Sequence, residues 1–266
     1  FRGYNVDVND IIVGEGRLGV YYSEIGHGLR STEVIYDRKY SAISMAEKDE
    51  FNIDSMLDGV GLVHLSGITP ALSENLKELI IDIAKECKER GILVSYDSNY
   101  RAKLWSINEA KEVLEEILKY VDFAFVGQLD MINILKFEDN DLDFEEKLQC
   151  NYEKLFKKYP NLKYVACTKR TVNSINNNTL QGYLYDGEKL LKSNAYTFDI
   201  LDRVGGGDAF TAGVLHGILN EMPNERIVEF GTCASSLKHS ILGDINIVDE
   251  ETVNEVIDYG LCNVKR

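Results

Sequence analysis

Asp208 stands directly after Gly205, Gly206 and Gly207 and just before AFTAGVLHGIL, a stretch of helical composition. Backbone N–H groups at a helix start form an anion site, and glycine lets a phosphate come close. A carboxylate beside such a site repels phosphate unless it has chemical work there. General base is the natural work: it takes the proton from an attacking hydroxyl while the glycine amides hold the developing charge. The competing reading is an aspartate that caps the helix. No GxxxxGK[ST] loop is present. A second glycine motif, GEGRLG over 14–19, satisfies GxGxxG. That fingerprint must follow a strand and open a helix, whereas here it precedes the strand-like VYYSE, so it reads as a turn.

Other polar groups gather in short stretches. YDSNYRAKLW (96–105) carries Asp97, Asn99 and Arg101 after an apolar run. VIYDRKYSA (34–42) places Tyr36 and Arg38 two apart, on one face of a strand. GVYYSE (19–24) places Tyr22 on the preceding strand. Guanidinium groups bind carboxylate in bidentate fashion, so such arginines suit an anionic ligand. Taken singly, each reads equally well as a surface arginine or a packing tyrosine.

The elements that must position these groups follow from pattern. RLGVYYSEI (17–25) and STEVIYDRK (31–39) read as an antiparallel strand pair around GHGL. LVHLSG (62–67), ILVSYD (92–97), FAFVG (123–127) and KYVACT (163–168) read as buried strands. Thr69 as N-cap and Pro70 at the first position are expected to open a helix. Its apolar face is Leu76, Leu79, Ile80, Ile83, Ala84 and Cys87, and Gly91 stops it. Further helices are expected at roughly 107–120, through Leu135, within 141–158, and near 208–220, 224–240 and 250–259. TVNSINNNT reads as a polar loop, and GYLYDGEKLL as a hairpin turning at Asp186-Gly187. Strands alternating with helices imply an α/β fold, a mostly parallel sheet covered on both faces. The early strand pair, with no helices around it, forms a separate flap.

Bulk properties exclude several function classes. The 29 basic and 44 acidic residues give a net charge of −15, which repels nucleic acid and anionic membranes. An anionic substrate would need arginines placed locally to hold it. No apolar run approaches the ~18 residues of a membrane span. Cys87, Cys150, Cys167, Cys233 and Cys262 are odd in number with no CxxC spacing, which reads as reduced thiols in a cytoplasmic protein. The NNT at Asn177 is then a chance match.

DRVGGGDAFTAG resembles the D-x-x-G-[AG]-G-D signature of the PfkB (ribokinase-like) carbohydrate kinases. The resemblance implies that Asp208 is the catalytic base and that the amides of Gly205, Gly206 and Gly207 form the anion hole. It places Asp202 near a monovalent-cation site that several relatives fill, K+ being the candidate. YDSNYR is similar to the family's D-x-N-x-R segment. With Tyr22, Tyr36 and Arg38 it resembles the 2-keto-3-deoxygluconate kinase branch, where tyrosines and arginines hold the acid sugar. VACTKR resembles a T-L-R segment lining ATP phosphates, which carries over Thr168 and Arg170, with Lys169 in place of an apolar residue. Asn99 and Arg101 also border the nucleotide in this reading. CASSLKHSILGDIN is similar to A-x-A-L-K-H-x-x-P-G-D-F-N, which carries over Asp244 as a substrate contact and Lys238 as a nucleotide neighbour, with His239 structural. The N-x-x-E motif that organises Mg2+ is reduced to GQLD, which leaves Asp130 alone.

The resemblance thus implies one ribokinase-like domain over 1–266 with a β lid inserted at about 16–40. It implies ATP and Mg2+ as cofactors, phosphorylation of the 6-hydroxyl of 2-keto-3-deoxygluconate, and a homodimer formed through the lid. Relatives begin with a strand and glycine-containing loops, so opening strands are expected ahead of Phe1. The alternatives are a kinase of fructose or of a dehydro-deoxygluconate isomer, and a non-catalytic sugar sensor.

Overall fold

The computed structural model describes residues 1–26 and 29–260. Two strands, β1 (Val20–Glu24) and β2 (Glu33–Asp37), form a separate antiparallel ribbon in which Tyr21 faces Tyr36 and Tyr22 faces Ile35. In the main sheet β3 (Leu62–Ser66), β4 (Leu93–Asp97), β5 (Phe123–Phe125) and β6 (Tyr164–Ser174) lie side by side in parallel. β7 (Asn177–Tyr185) pairs antiparallel with β6, and β8 (Leu190–Lys192) and β9 (Tyr196–Asp199) pair antiparallel with β7.

Alternation along the strands builds two cores. Ala124, Val126, Val165 and Cys167 face one side and pack with Leu76, Ile80 and Ala84 of the helix Glu74–Arg90 and with Leu148, Tyr152 and Leu155 of Phe144–Lys158. Phe123, Phe125, Ala166 and Leu184 face the other side and pack with Phe210 and Val214 of the helix Gly206–Leu219 and with Ile227 and Val228 of Asn224–Lys238. The sheet is therefore covered on both faces, as expected. Those last two helices come close because Gly213 meets Gly231, where an added Cβ would lie 2.7 Å from the facing Cα.

Two local expectations need correction. The helix expected from Thr69-Pro70 begins at Glu74 instead, because extended Ser73 accepts the Leu76 amide at 3.3 Å, while Thr69–Ala71 form a short 3-10 turn. Gly91 ends that helix with φ 71°, as the pattern predicts. TVNSINNNT is not a loop, since β6 and β7 pair through most of it. Its strand character comes from backbone ladder bonds and from polar cross-strand contacts, such as Asn173 to Thr179 and Thr179 to Thr197. GEGRLG leads into β1 and opens no helix. Cys87, Cys167 and Cys233 are buried free thiols, Cys150 is partly buried, and Cys262 lies outside the described residues. No helix among the described residues is long and apolar enough to cross a membrane.

Candidate active site

The parallel strands deliver their C-terminal ends to one edge of the sheet, where ligands bind in open α/β sheets. A cavity of about 610 Å³ opens there. It is lined from the flap by Tyr21, Tyr36 and Arg38, from the end of β4 by Asp97, Asn99 and Arg101, and from the helix start by Gly205, Gly206, Gly207 and Asp208. Arg170, Arg203 and Asp244 complete it. A second cavity of about 410 Å³ adjoins it, reaching Asp130 and Thr168. Asp97, Asn99, Arg101 and Gly207 border both. A group held at Gly207 therefore faces the two spaces at once.

The helix start is built as an anion cradle. Gly205 caps the helix with φ 79°, a left-handed conformation, and an added Cβ there would lie 2.7 Å from the Asp244 carbonyl oxygen. Gly206 donates a long bond of 3.4 Å to the Arg203 carbonyl, while the Gly207 and Asp208 amides have no acceptor among the described residues. Beneath the cradle, His239 lies against Gly206 and makes a 2.7 Å bond through Nδ1 to the Ser235 carbonyl. This fits its structural reading. Asp202 accepts from the Val204 amide at 3.0 Å and the Gly243 amide at 2.9 Å, tying the cradle loop to the turn before Asp244.

Asn99 holds a left-handed φ of 38°, a conformation that persists only where surroundings enforce it. Its amide N–H donates to Asp97 at 3.0 Å and its side chain to Ser66 at 3.2 Å. That turn presents Arg101, which donates to the carbonyls of Asn99 and Tyr100. Burial pushes the Asp97 carboxyl up to about 6, and the charges of Asp208 and Asp130 add to the rise. Burial, helped by the like charge of Arg170, draws the Arg203 guanidinium below its usual range. Two arginines lining one cavity with no ion pair among the described residues are suited to receive an anion.

Two residues singled out in the sequence sit elsewhere. Tyr22 does not line the cavity: it pairs with Ile35 on the opposite face of the ribbon and is exposed. Its neighbour Tyr21 takes that place and donates to Asp244 at 3.1 Å. Alternation makes only one of two adjacent tyrosines face inward, and the register with Tyr36 selects Tyr21. Lys238 is fully buried and does not line either cavity. Its ammonium donates to the carbonyls of Ile241 and Gly243, so it braces the turn that carries Asp244. Thr168 and Arg170 also part company, Thr168 lining the smaller cavity and Arg170 the larger. Arg203 and Tyr21 are absent from the sequence reading. Arg203 sits inside the glycine signature itself, one residue after Asp202, where its cationic type was the available signal.

Magnesium can be tested against these residues. Among the described residues no three His, Cys, Asp or Glu side chains gather as a metal site. Asp130 accepts from the Ser98 hydroxyl at 2.7 Å and the Gly127 amide at 3.0 Å. Magnesium commonly needs only one or two carboxylates besides phosphate and water. Asp97 and Asp130 on the smaller cavity fit an ion that arrives on nucleotide phosphates.

Parallel strands converging on one cavity, a two-stranded lid and a glycine-started helix define the ribokinase-like fold, which the solved relatives share. The family model for pfkB family carbohydrate kinases matches residues 1–250, and the chain belongs to that family. It is 28% identical over 252 residues to the 2-dehydro-3-deoxygalactonokinase of Haloferax volcanii, covering 95% of this chain and 74% of that protein. The crystal structure of 2-dehydro-3-deoxygluconokinase from Thermotoga maritima superposes with a TM-score of 0.92 at 35% identity, over 96% of this chain and 78% of that one. A PfkB family carbohydrate kinase from Listeria grayi superposes with a TM-score of 0.86 at 40% identity, over 92% and 74%. The chain spans between 42% and 61% of the length of several further curated relatives.

Proposed function

We propose that the protein is an ATP-dependent kinase of a 2-keto-3-deoxy sugar acid, transferring phosphate to the 6-hydroxyl of 2-keto-3-deoxygluconate. The observation that carries this reading is Asp208 on the cavity wall beside the free amides of Gly207 and itself, opposite a group of arginines. Asp208 accepts the proton of the acceptor hydroxyl, and the cradle amides stabilise the charge of the group in transfer. Arg38 and Arg101 hold the carboxylate of the acceptor, with Tyr21 and Tyr36 beside them and Asp244 held by Tyr21. Asn99, Thr168 and Arg170 border the nucleotide phosphates, and Arg203 joins them. Magnesium supplies charge neutralisation on those phosphates, with Asp97 and Asp130 as its protein neighbours. K+ near Asp202 belongs to this reading as the resemblance implies it, at the loop that Asp202 ties to the Gly243 amide.

Closure of the flap would exclude water from the transferring group. The reading places the protein in the cytoplasm, as a homodimer joined through the lid. Relatives named for 2-dehydro-3-deoxygluconate and 2-dehydro-3-deoxygalactonate support the acid-sugar class. The test is ADP release with 2-keto-3-deoxygluconate, 2-keto-3-deoxygalactonate, fructose and ribose in parallel. Release confined to the two acids is expected. Faster release with fructose or ribose would remove the acid-sugar assignment, and none with any sugar would favour a sensor.

A further inference from the structure

A second niche of about 600 Å³ is lined by both flap and body; it shares Tyr36, Arg38 and Arg101 with the larger cavity, whereas Asp208 lines only the latter. Its charged lining is Arg38 and Lys39 from the flap and Arg101 and Lys103 from the turn after β4, with Tyr36 and Tyr100 between them. No acidic side chain lines it among the described residues. In a chain of net charge −15, many cations sit in ion pairs with carboxylates, as Lys48, Lys158 and Arg226 do. These four do not. Arg38 stacks 4.2 Å over the Tyr36 ring, and its Nη1 is buried with no hydrogen-bond partner among the described residues. Among the described residues Arg101 donates to two carbonyls, those of Asn99 and Tyr100. Lys39 lies 5.0 Å over the Tyr40 ring.

We propose that this niche is a second anion site, distinct from the phosphoryl cradle, which takes a small oxyanion of two or more charges, such as a phosphate or a dicarboxylate. Two cations approach it from the flap and two from the body, so they repel across the gap when it is empty of anion. A multivalent anion cancels that repulsion and bridges flap to body through charge-assisted hydrogen bonds. Lys39 and Lys103 serve this niche alone, whereas Arg38 and Arg101 also line the larger cavity. An occupied niche therefore draws on the same guanidinium groups that the proposed acceptor carboxylate uses. The site itself stands on direct binding and does not depend on the kinase reading.

Calorimetric titration of inorganic phosphate, and separately of malonate, at constant ionic strength tests it on the wild type and on the double variant Lys39→Ala/Lys103→Ala. Both lysines are exposed, so the variant keeps the wild-type Tm. The wild type is expected to bind both ions, and the double variant to bind them about tenfold more weakly, having lost two charged donors. Hydrogen exchange over residues 20–37 is expected to slow with phosphate in the wild type and not in the variant. Equal binding by both proteins would put the ion in the glycine cradle and overturn the proposal. So would an absence of binding at tens of millimolar anion.

Discussion

Asp97 and Asp208 face one cavity with like charge, and the cost falls on the more buried of the two. An unfolded aspartate titrates near 3.9. In the folded protein burial raises Asp97 to about 6. The folded state therefore holds the extra proton between those values, and the resulting stability is present below about 4 and lost as pH rises through about 6. Asp97→Asn keeps an acceptor for the Asn99 amide and removes the charge. It is expected to raise Tm at pH 8 by roughly 2–6 °C and to change it little at pH 4, read by thermal melts at the two pH values. A second prediction separates the adjacent tyrosines. Tyr21→Phe loses the bond to Asp244 and is expected to raise the acceptor KM about three- to tenfold, whereas Tyr22→Phe stays within about twofold. Steady-state kinetics on both variants checks it, and equal effects would contradict the assigned register. The residue types at the site were legible because few other needs put an aspartate after three glycines. Which tyrosine faces inward depends on pairing with Tyr36, a contact between strands that one strand alone does not reveal. Lys238 misled because its motif places it near the cradle, which it is, although its ammonium points at the carbonyls of the Ile241–Gly243 turn.

At the scale of elements, the three cradle glycines have different reasons to be glycine. Gly205 needs its left-handed φ and room from the Asp244 carbonyl, and Gly206 needs room from His239. An added Cβ on Gly207 meets nothing within 4 Å, so that position is open on the cavity side. Gly205→Ala is expected to destabilise the fold by about 1–3 kcal/mol through backbone strain. Gly207→Ala is expected to leave Tm nearly unchanged and to lower kcat about tenfold or more, because its methyl group crowds the cradle. Denaturant melts and kcat on the pair check this. A Gly207 variant with full activity would move the transfer point away from this amide. The long helices were legible from their apolar spacing, and the one misplaced start came from two capping signals four residues apart. Ser73 prevailed over Thr69 because its extended backbone lets its hydroxyl reach the Leu76 amide. The β6–β7 arm was not legible, since its exposed half has no apolar face and takes its shape from ladder bonds between its own two strands and from β7 to β9.

For the whole molecule, the flap is the element least supported by the rest of the chain. Its strands pair only with each other among the described residues, and its outer face exposes Tyr22 and Ile35 beside Val20. An apolar face of this kind marks an interaction surface, and the proposed partner is a second copy. Light scattering is expected to give twice 30.1 kDa. Ile35→Glu is expected to return the particle to the mass of one chain, and a wild-type monomer would contradict the proposal. The three-layer body was legible from alternating strand and helix patterns, because each strand carries one face to each core. How flap, cradle and arginine group meet was not, because their contacts join residues up to 223 positions apart, as Tyr21 and Asp244 do.

The central claim concerns one carboxylate at the start of the Gly206–Leu219 helix. Asp208→Asn preserves the size of the side chain and removes its basicity. Measured on 2-keto-3-deoxygluconate with ATP, the variant is expected to lose about 10²–10⁴ in kcat while calorimetry shows the acid sugar still bound. A variant that keeps near-wild-type kcat would contradict the account.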